Sequence, residues 1–142
     1  MTPTNILESL IVSNHRLTRV AAQSTGSKTP AAVWRTLSIL STDGPMRIGE
    51  LATSSRISQP GMTKLLPNLV EEELVYRIAD VADSRAWLIA ISTKGQKALD
   101  DWRRELALAL EPMFGGLSAR EWATLASAAT ILQDRLAAEL AA

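Results

Sequence analysis

Residues 57–77 read ISQPGMTKLLPNLVEEELVYR, and this stretch decides the fold. Ser58 is a good N-cap, and Pro60 is tolerated in a first helical turn because that N–H has no helical partner. A helix is therefore predicted to begin here. Just upstream, MRIGELATSSRI at residues 46–57 predicts a short extended pair and then a short helix. Two short helices joined by a tight polar turn form a helix-turn-helix, whose second helix can enter a major groove.

The segments on either side predict a wing and flanking helices. VYRIAD and WLIAIS are β-prone runs, and the turn formers Asp83 and Ser84 between them indicate a hairpin. A helix then begins at Ser92 or Thr93, and Ser118 with Glu121 fits a capping box for a last helix. Towards the N-terminus, residues 5–22 have helical apolar spacing. Thr29 and Pro30 are predicted as the N-cap and first-turn proline of the next helix, which stops near residues 43–45.

The predicted fold is therefore mainly α with a small β-hairpin wing. A winged helix-turn-helix at about residues 29–92 lies between dimerisation helices at about residues 1–28 and 93–142, all in one domain spanning 1–142. Dimerisation is expected because one small winged domain leaves the apolar faces of the first and the last two helices uncovered.

Composition excludes several classes of function. The chain has 142 residues, 46% of them hydrophobic, which is enough for one compact core. It has no cysteine and only one histidine, His15, so disulfides and thiolate or multi-histidine metal sites are excluded. No phosphate-binding glycine loop, nucleophile with a histidine base or metal-ligand cluster is present, so neither an enzyme nor a cofactor is predicted. With no leader-like segment and no long apolar run, we expect a soluble, cytoplasmic protein with no membrane partner.

Candidate DNA contacts cluster around the quoted helix, although the net charge is zero and gives no argument for DNA. Side chains of its first two turns would reach base edges, and they are Ser58, Gln59, Met62, Thr63 and Lys64. Arg85, in the hairpin loop, could enter a narrow minor groove, with Asp83 holding it in position. Further phosphate candidates are Arg47, Arg56 and Arg77. Alternatively, Ser58 is only a cap, Asp83 and Arg85 form an ordinary turn pair, and each other arginine is a solvated surface charge.

Several of these segments resemble the MarR family of transcriptional regulators. They are TPAAVWRTLSIL, GPMRIGELATSSRISQPGMTKLL, LVYR, DSRAWLIAISTKG and LSAREWATL. The resemblance covers residues 29 to about 116 and implies an obligate homodimer that binds a pseudo-palindromic operator on double-stranded DNA. It also implies that a small aromatic acid or similar ligand often weakens DNA binding. Candidate ligand residues are His15, Arg16, Arg19 and Trp34, although each of them taken singly is better explained as a core, surface, interface or ion-pairing residue.

The sequence departs from the family pattern inside the second helix. The family usually has an acidic or polar residue at the position of Pro67 and glycine at that of Glu73. A proline in a helix interior costs roughly 3 kcal/mol unless the helix bends or restarts. We therefore expect a kink at Pro67, or a second helical segment beginning there, and an altered operator preference.

The favoured interpretation is a sequence-specific, homodimeric transcriptional repressor released by a small aromatic or phenolic effector. The alternative is a degenerate winged helix that binds a protein and binds DNA weakly or not at all. Pro67 and the glutamates at 71–73 support this alternative. Salt dependence of DNA binding discriminates the two, because phosphate neutralisation releases counterions.

Overall fold

The computed structural model of this chain describes residues 1–83 and 85–141, so the predicted turn former Ser84 lies outside the described residues. Helices and strands follow one another in the order that the sequence predicts, and the fold is mainly helical with a small antiparallel sheet. The elements are α1 (Pro3–Thr25), α2 (Ala31–Asp43), β1 (Met46–Arg47), α3 (Ile48–Ser55), α4 (Gln59–Glu71), β2 (Val75–Ala79), β3 (Trp87–Ile91), α5 (Thr93–Leu110), a 3-10 turn (Glu111–Phe114) and α6 (Ala119–Ala141).

Serine caps begin three of the predicted helices. The Ser58 hydroxyl accepts the Gly61 N–H at 3.1 Å, which begins α4. Ser92 does the same for α5, and Ser118 exchanges hydrogen bonds with Glu121 at the start of α6. The prediction of Thr29 as the cap of α2 is wrong. Pro30 itself occupies that position without a side-chain hydrogen bond, so α2 begins one residue later.

The wing is part of a three-stranded antiparallel sheet in the order β1-β3-β2. The hairpin pairs Val75 with Ile91 and Ala79 with Trp87, which confirms the predicted wing. The other edge of β3 pairs Met46 with Ile89, so the extended pair before α3 is a sheet strand. Because β1 leads straight into α3, the wing and the helix-turn-helix share one framework.

One hydrophobic core joins the helix-turn-helix, the sheet and α5. Its largest buried apolar side chains come from α2, α3, α4, β2 and α5, and they are Leu37, Leu40, Leu51, Met62, Leu66, Leu69, Val75 and Leu99. At about 25 cal/mol per Å², burying one such leucine stabilises the fold by about 2 kcal/mol. The core therefore fixes the position of α4 relative to the wing.

Glu73, between α4 and β2, has a left-handed backbone with φ of 62°. That conformation is costly for a residue with a Cβ and ordinary for glycine, which the family resemblance implies at this position. Its carbonyl accepts the Ser92 hydroxyl at 2.5 Å, and its carboxylate lies 3.9 Å from the Lys94 ammonium. Both side chains of that ion pair are exposed, so it contributes little.

We therefore expect Glu73→Gly to raise the free energy of unfolding by about 1 kcal/mol, because it removes the left-handed strain. Urea unfolding followed by circular dichroism measures the change. The matched control is Glu72→Gly, since Glu72 has φ of −77° and gains nothing from glycine. That control should lose about 0.5–1 kcal/mol. Equal effects of the two substitutions would contradict the strain argument.

The terminal helices leave apolar side chains in solvent. Along α6, the described side chains from 119 to 139 are exposed except for half-buried Ala128. Exposed apolar residues of the two terminal helices include Ile6, Leu7, Leu10, Ile11, Trp122, Leu125, Ile131, Leu132 and Leu136. Near the start of α6, Trp122 contacts Phe114 with ring centroids 6.2 Å apart. The expected uncovered faces are therefore present on α1 and α6.

Candidate DNA-binding surface

The first two turns of α4 present polar side chains to solvent. Gln59, Thr63 and Lys64 are exposed, and Ser58 is exposed at the cap. Ser58 has the capping role that its residue type predicts, which leaves any DNA contact by this side chain a prediction. The packing of α4 against α3 and the sheet holds these side chains on the outer side of the helix-turn-helix.

Met62 was expected among the exposed base-reading residues, and this expectation is wrong. Its side chain is 0% exposed and belongs to the core. The reason is helical register, since Met62, Leu66 and Leu69 at i, i+4 and i+7 share one face.

Pro67 does not divide α4. The helix is continuous from Gln59 to Glu71 with Pro67 inside it, so the predicted restart is wrong. The missing proline N–H leaves the Thr63 carbonyl without its usual helical donor. Regular hydrogen bonding is present after the proline, where the Glu72 N–H donates to the Asn68 carbonyl at 3.0 Å. The proline ring is exposed on the outer surface of the helix.

The wing tip carries the predicted Asp83–Arg85 pair. The Arg85 side chain is 92% exposed, and its Nε lies 3.7 Å from the Asp83 carboxylate. The Arg85 backbone N–H donates to the same carboxylate oxygen at 3.0 Å. Asp83 thus anchors the backbone of the tip firmly and the guanidinium loosely, which leaves the arginine donors free to reach a partner.

Arg47 has a partner that its sequence position did not predict. Its Nε and Nη2 donate to one carboxylate oxygen of Asp80 at 2.9 and 2.6 Å. The hydrogen bond from Arg47 lowers the pKa of Asp80, and the Ala82 backbone N–H adds to the effect. Asp80 therefore stays ionised until the pH falls through this lowered pKa. The ion pair crosses β3 and ties β1 to the start of the hairpin loop directly after β2. Phosphate contact by Arg47 stays a prediction.

A concavity of about 770 Å³ separates α4 from the wing. Its lining includes Thr63 and Pro67 from α4, Arg77 and Trp87 from the sheet, and Arg85 from the tip. Trp87 is 57% exposed and was not predicted as a site residue. The signal available in the sequence was a tryptophan two residues after the wing arginine. Arg56 lies elsewhere, in the turn before α4, where it is exposed with φ of 56°.

A second cavity of about 690 Å³ lies between α1, α2 and α5. It brings together His15, Arg19 and Trp34 of the predicted ligand residues, whereas Arg16 is outside its described lining. The Trp34 and Trp102 rings are stacked with centroids 4.8 Å apart. Trp102 was not predicted as a site residue. The pairing joins residues 68 positions apart, so no local pattern signals it.

Arg35 connects this cavity to the helix-turn-helix. It lines the cavity, and its Nε donates to the Ser55 carbonyl at 2.5 Å. Ser55 is the last residue of α3, directly before the turn that leads to α4. Two buried polar atoms nearby, Trp34 Nε1 and Ser55 Oγ, lack a hydrogen-bond partner among the described residues.

Two further findings concern metals and membranes. Within residues 1–83 and 85–141, no three His, Cys, Asp or Glu side chains are grouped so as to hold a metal ion. In the same part of the chain, the helices lack the combination of length and apolar character that a membrane crossing requires.

Comparisons with known proteins agree with this geometry. Residues 30–87 match the model of the MarR family. The transcriptional regulator Tm0710 from Thermotoga maritima superposes with a TM-score of 0.75 at 17% identity, covering 98% of this chain and 99% of that one. RV1404 from Mycobacterium tuberculosis gives 0.69 at 20% identity with 95% of both chains covered. Wild-type MarR from E. coli gives 0.64 at 18% identity, covering 93% and 97%. No curated protein sequence matches.

The family match spans α2, the helix-turn-helix and most of the wing, and the solved structures extend the likeness of fold to the terminal helices. This chain therefore carries a MarR-type winged helix-turn-helix within the fold of MarR-family transcriptional regulators.

Proposed function

We propose that this protein is a homodimeric, sequence-specific transcriptional regulator that binds double-stranded DNA in the cytoplasm. One observation carries the proposal: the exposed start of α4 lies beside a wing whose tip presents the 92% exposed Arg85. An α-helix fits the major groove, and an arginine on a thin hairpin fits a narrow minor groove. The concavity between them leaves room for a DNA backbone.

Each contact residue has a chemistry suited to one part of DNA. Gln59 can form paired hydrogen bonds with adenine, and Lys64 can contact guanine or a phosphate. Arg56, in the turn before α4, and Arg77, on β2, are exposed and would contact phosphates. Ser58 keeps the first N–H groups of α4 ordered through its cap.

Two copies are needed to cover the terminal helices. The apolar residues of α1 and α6 are exposed in one chain, and a symmetric dimer would bury them. On this proposal, about residues 1–28 and 93–142 form the dimerisation part, and about residues 29–92 form the DNA-binding part. Two α4 helices about one DNA turn apart would match a pseudo-palindromic operator.

The second cavity suits a small aromatic acid that releases a repressor from its operator. The Trp34–Trp102 stack offers a flat apolar surface, and Arg19 and Arg35 offer donors for a carboxylate. An anion that draws Arg35 away from the Ser55 carbonyl would free the end of α3 next to the recognition helix. Ligand binding would thereby change the position of α4.

DNA binding is tested by selecting duplexes from a randomised library and measuring affinity for the enriched sequence over a range of salt. We expect a pseudo-palindrome, tight binding relative to shuffled DNA, and a steep loss of affinity with salt. Arg85→Ala should weaken binding about tenfold and make the salt slope shallower. Lys28→Ala, in the exposed loop between α1 and α2, is the matched control and should change neither.

An absence of enrichment, with weak binding to all DNA, would overturn this proposal. It would favour the alternative of a degenerate winged helix that binds a protein, which the exposed glutamates at the end of α4 support. If the protein binds DNA selectively and Arg85→Ala does not change its affinity, the proposed regulatory function stands and the proposed contact of Arg85 with DNA is wrong.

The effector proposal is tested by tryptophan fluorescence in a Trp87→Phe, Trp122→Phe variant, which retains the stacked pair. Benzoate and hydroxybenzoates should quench this fluorescence and lower affinity for the selected duplex over the same concentration range. Arg19→Met should weaken both effects, whereas Arg16→Met, outside the described lining of the cavity, should weaken neither. Quenching without loss of DNA affinity would contradict a releasing effector.

A further inference from the structure

The outer surface of α4 carries one stripe of side chains that faces the wing. Gln59, Thr63 and Pro67 follow each other at intervals of four residues, and all three are exposed. Side chains at this spacing lie on one face of a helix. Thr63 and Pro67 also line the concavity between α4 and the wing. The stripe is therefore the part of α4 that would face DNA held between helix and wing.

Thr63 presents mainly hydrocarbon along this stripe. Its hydroxyl donates to the Gln59 carbonyl at 2.9 Å, so its only hydrogen is engaged within the helix. What the side chain can still offer a base is a methyl group and acceptor lone pairs. The amino groups of adenine and cytosine could donate hydrogen bonds to those lone pairs. An acceptor atom of a base would find no hydrogen-bond donor on this side chain.

Pro67 presents hydrocarbon alone. It has neither a side-chain donor nor a backbone N–H, and its ring is exposed. Proline is unfavourable in a helix interior, and an exposed ring does not offset this by burial in the core. The helix is nevertheless continuous through it. An apolar group of a binding partner could pack against the exposed Pro67 ring and bury it.

Thymine is the base that offers a hydrocarbon group in the major groove, through its C5-methyl. We infer that Thr63 and Pro67 are specificity-determining residues that read thymine methyl groups in each half-site. This inference rests on the proposed DNA-binding function and deepens it. Four helical residues span about 6 Å, so the two methyls should lie about two base pairs apart. Gln59, on the same stripe, would pair with an adenine beside them.

Replacing thymine by deoxyuracil removes only the C5-methyl, so it tests the inference directly. In the duplex obtained by selection, each thymine is replaced in turn and the affinity of the wild-type protein is measured. Two thymines in each half-site should show a loss of about fourfold each, the change expected for one buried methyl-sized group. The remaining thymines should show little change.

Two conservative variants show which of the two residues contacts each thymine methyl group. Thr63→Ser keeps the hydroxyl bond to the Gln59 carbonyl and loses only the methyl, so deoxyuracil should have no effect at one of the two positions. Pro67→Ala removes the ring and favours helix, and it should abolish the effect at the other position. Asn68→Ala is the control, because Asn68 is exposed on the side of α4 that faces α2. It should leave both effects intact.

A deoxyuracil scan without effect, in a protein that still binds the duplex selectively and with steep salt dependence, would overturn the inference and leave the DNA-binding function standing. Deoxyuracil effects that persist in both variants would also overturn it, because other residues would then read the methyls. A failure to select any duplex would overturn the proposed function, and this inference with it.

Discussion

Gly95→Ala is expected to lower the free energy of unfolding by about 3 kcal/mol or to prevent folding. A Cβ at this position would lie 2.1 Å from the Leu74 carbonyl oxygen and 2.9 Å from its carbon. Both are backbone atoms, which do not yield as a flexible side chain would. Overpacking of a tight interior typically costs 1–3 kcal/mol, and this contact lies at the upper end or beyond.

The surrounding hydrogen bonds prevent α5 from moving away. The Leu74 carbonyl accepts the Ser92 N–H at 3.0 Å, and the Ser92 hydroxyl accepts the Gly95 N–H at 2.9 Å. Moving the start of α5 to make room for a methyl group would break this cap and the link to β2. Adding one methyl group at Gly95 is therefore expected to disturb the packing of the start of α5 against the residue before β2.

Urea unfolding followed by circular dichroism measures this effect, with Gly116→Ala as the control. A Cβ on Gly116 meets no described heavy atom within 4 Å, so its free energy of unfolding should change by less than about 0.5 kcal/mol. If the two variants unfolded at the same urea concentration, the close approach of α5 to Leu74 would be wrong.

Local signals account for what could be predicted from the sequence. Ser58, Ser92 and the Ser118–Glu121 pair each act within three or four residues, so the starts of α4, α5 and α6 could be predicted from neighbouring residues alone. The family resemblance added a glycine position at Glu73, where the backbone is left-handed. The helices, the strands and their order could therefore be predicted from interactions between residues close together in the sequence.

Contacts between distant residues could not be predicted in this way. Asp80 lies 33 residues from Arg47, and the pairing of β1 and β2 with β3 brings their side chains together. The Trp34–Trp102 stack likewise depends on how α2 and α5 cross. Met62 is a different case, because its helical spacing with Leu66 and Leu69 was a local signal of a buried face that the prediction did not follow. Tertiary packing decided the Arg47–Asp80 and Trp34–Trp102 contacts.

Leu132→Glu combined with Leu136→Glu is expected to convert the proposed dimer into monomers. Leu125, Leu132 and Leu136 follow each other by seven and four residues, so they share one face of α6. All three are exposed in one chain, and two charges on this face would have to be buried without partners in a dimer. The fold of each chain should survive, because neither leucine belongs to its core.

Sedimentation should show half the wild-type mass with unchanged circular dichroism. Affinity for the selected operator should fall by about 10²- to 10⁴-fold, because the second recognition helix no longer binds as part of the same molecule. Ser127→Glu with Thr130→Glu is the matched control, since it adds the same charge to exposed polar positions on the other side of α6. A dimer that survives both pairs of substitutions would exclude this face of α6 as the interface. Monomers that still bound the whole operator tightly would instead separate dimerisation from DNA recognition.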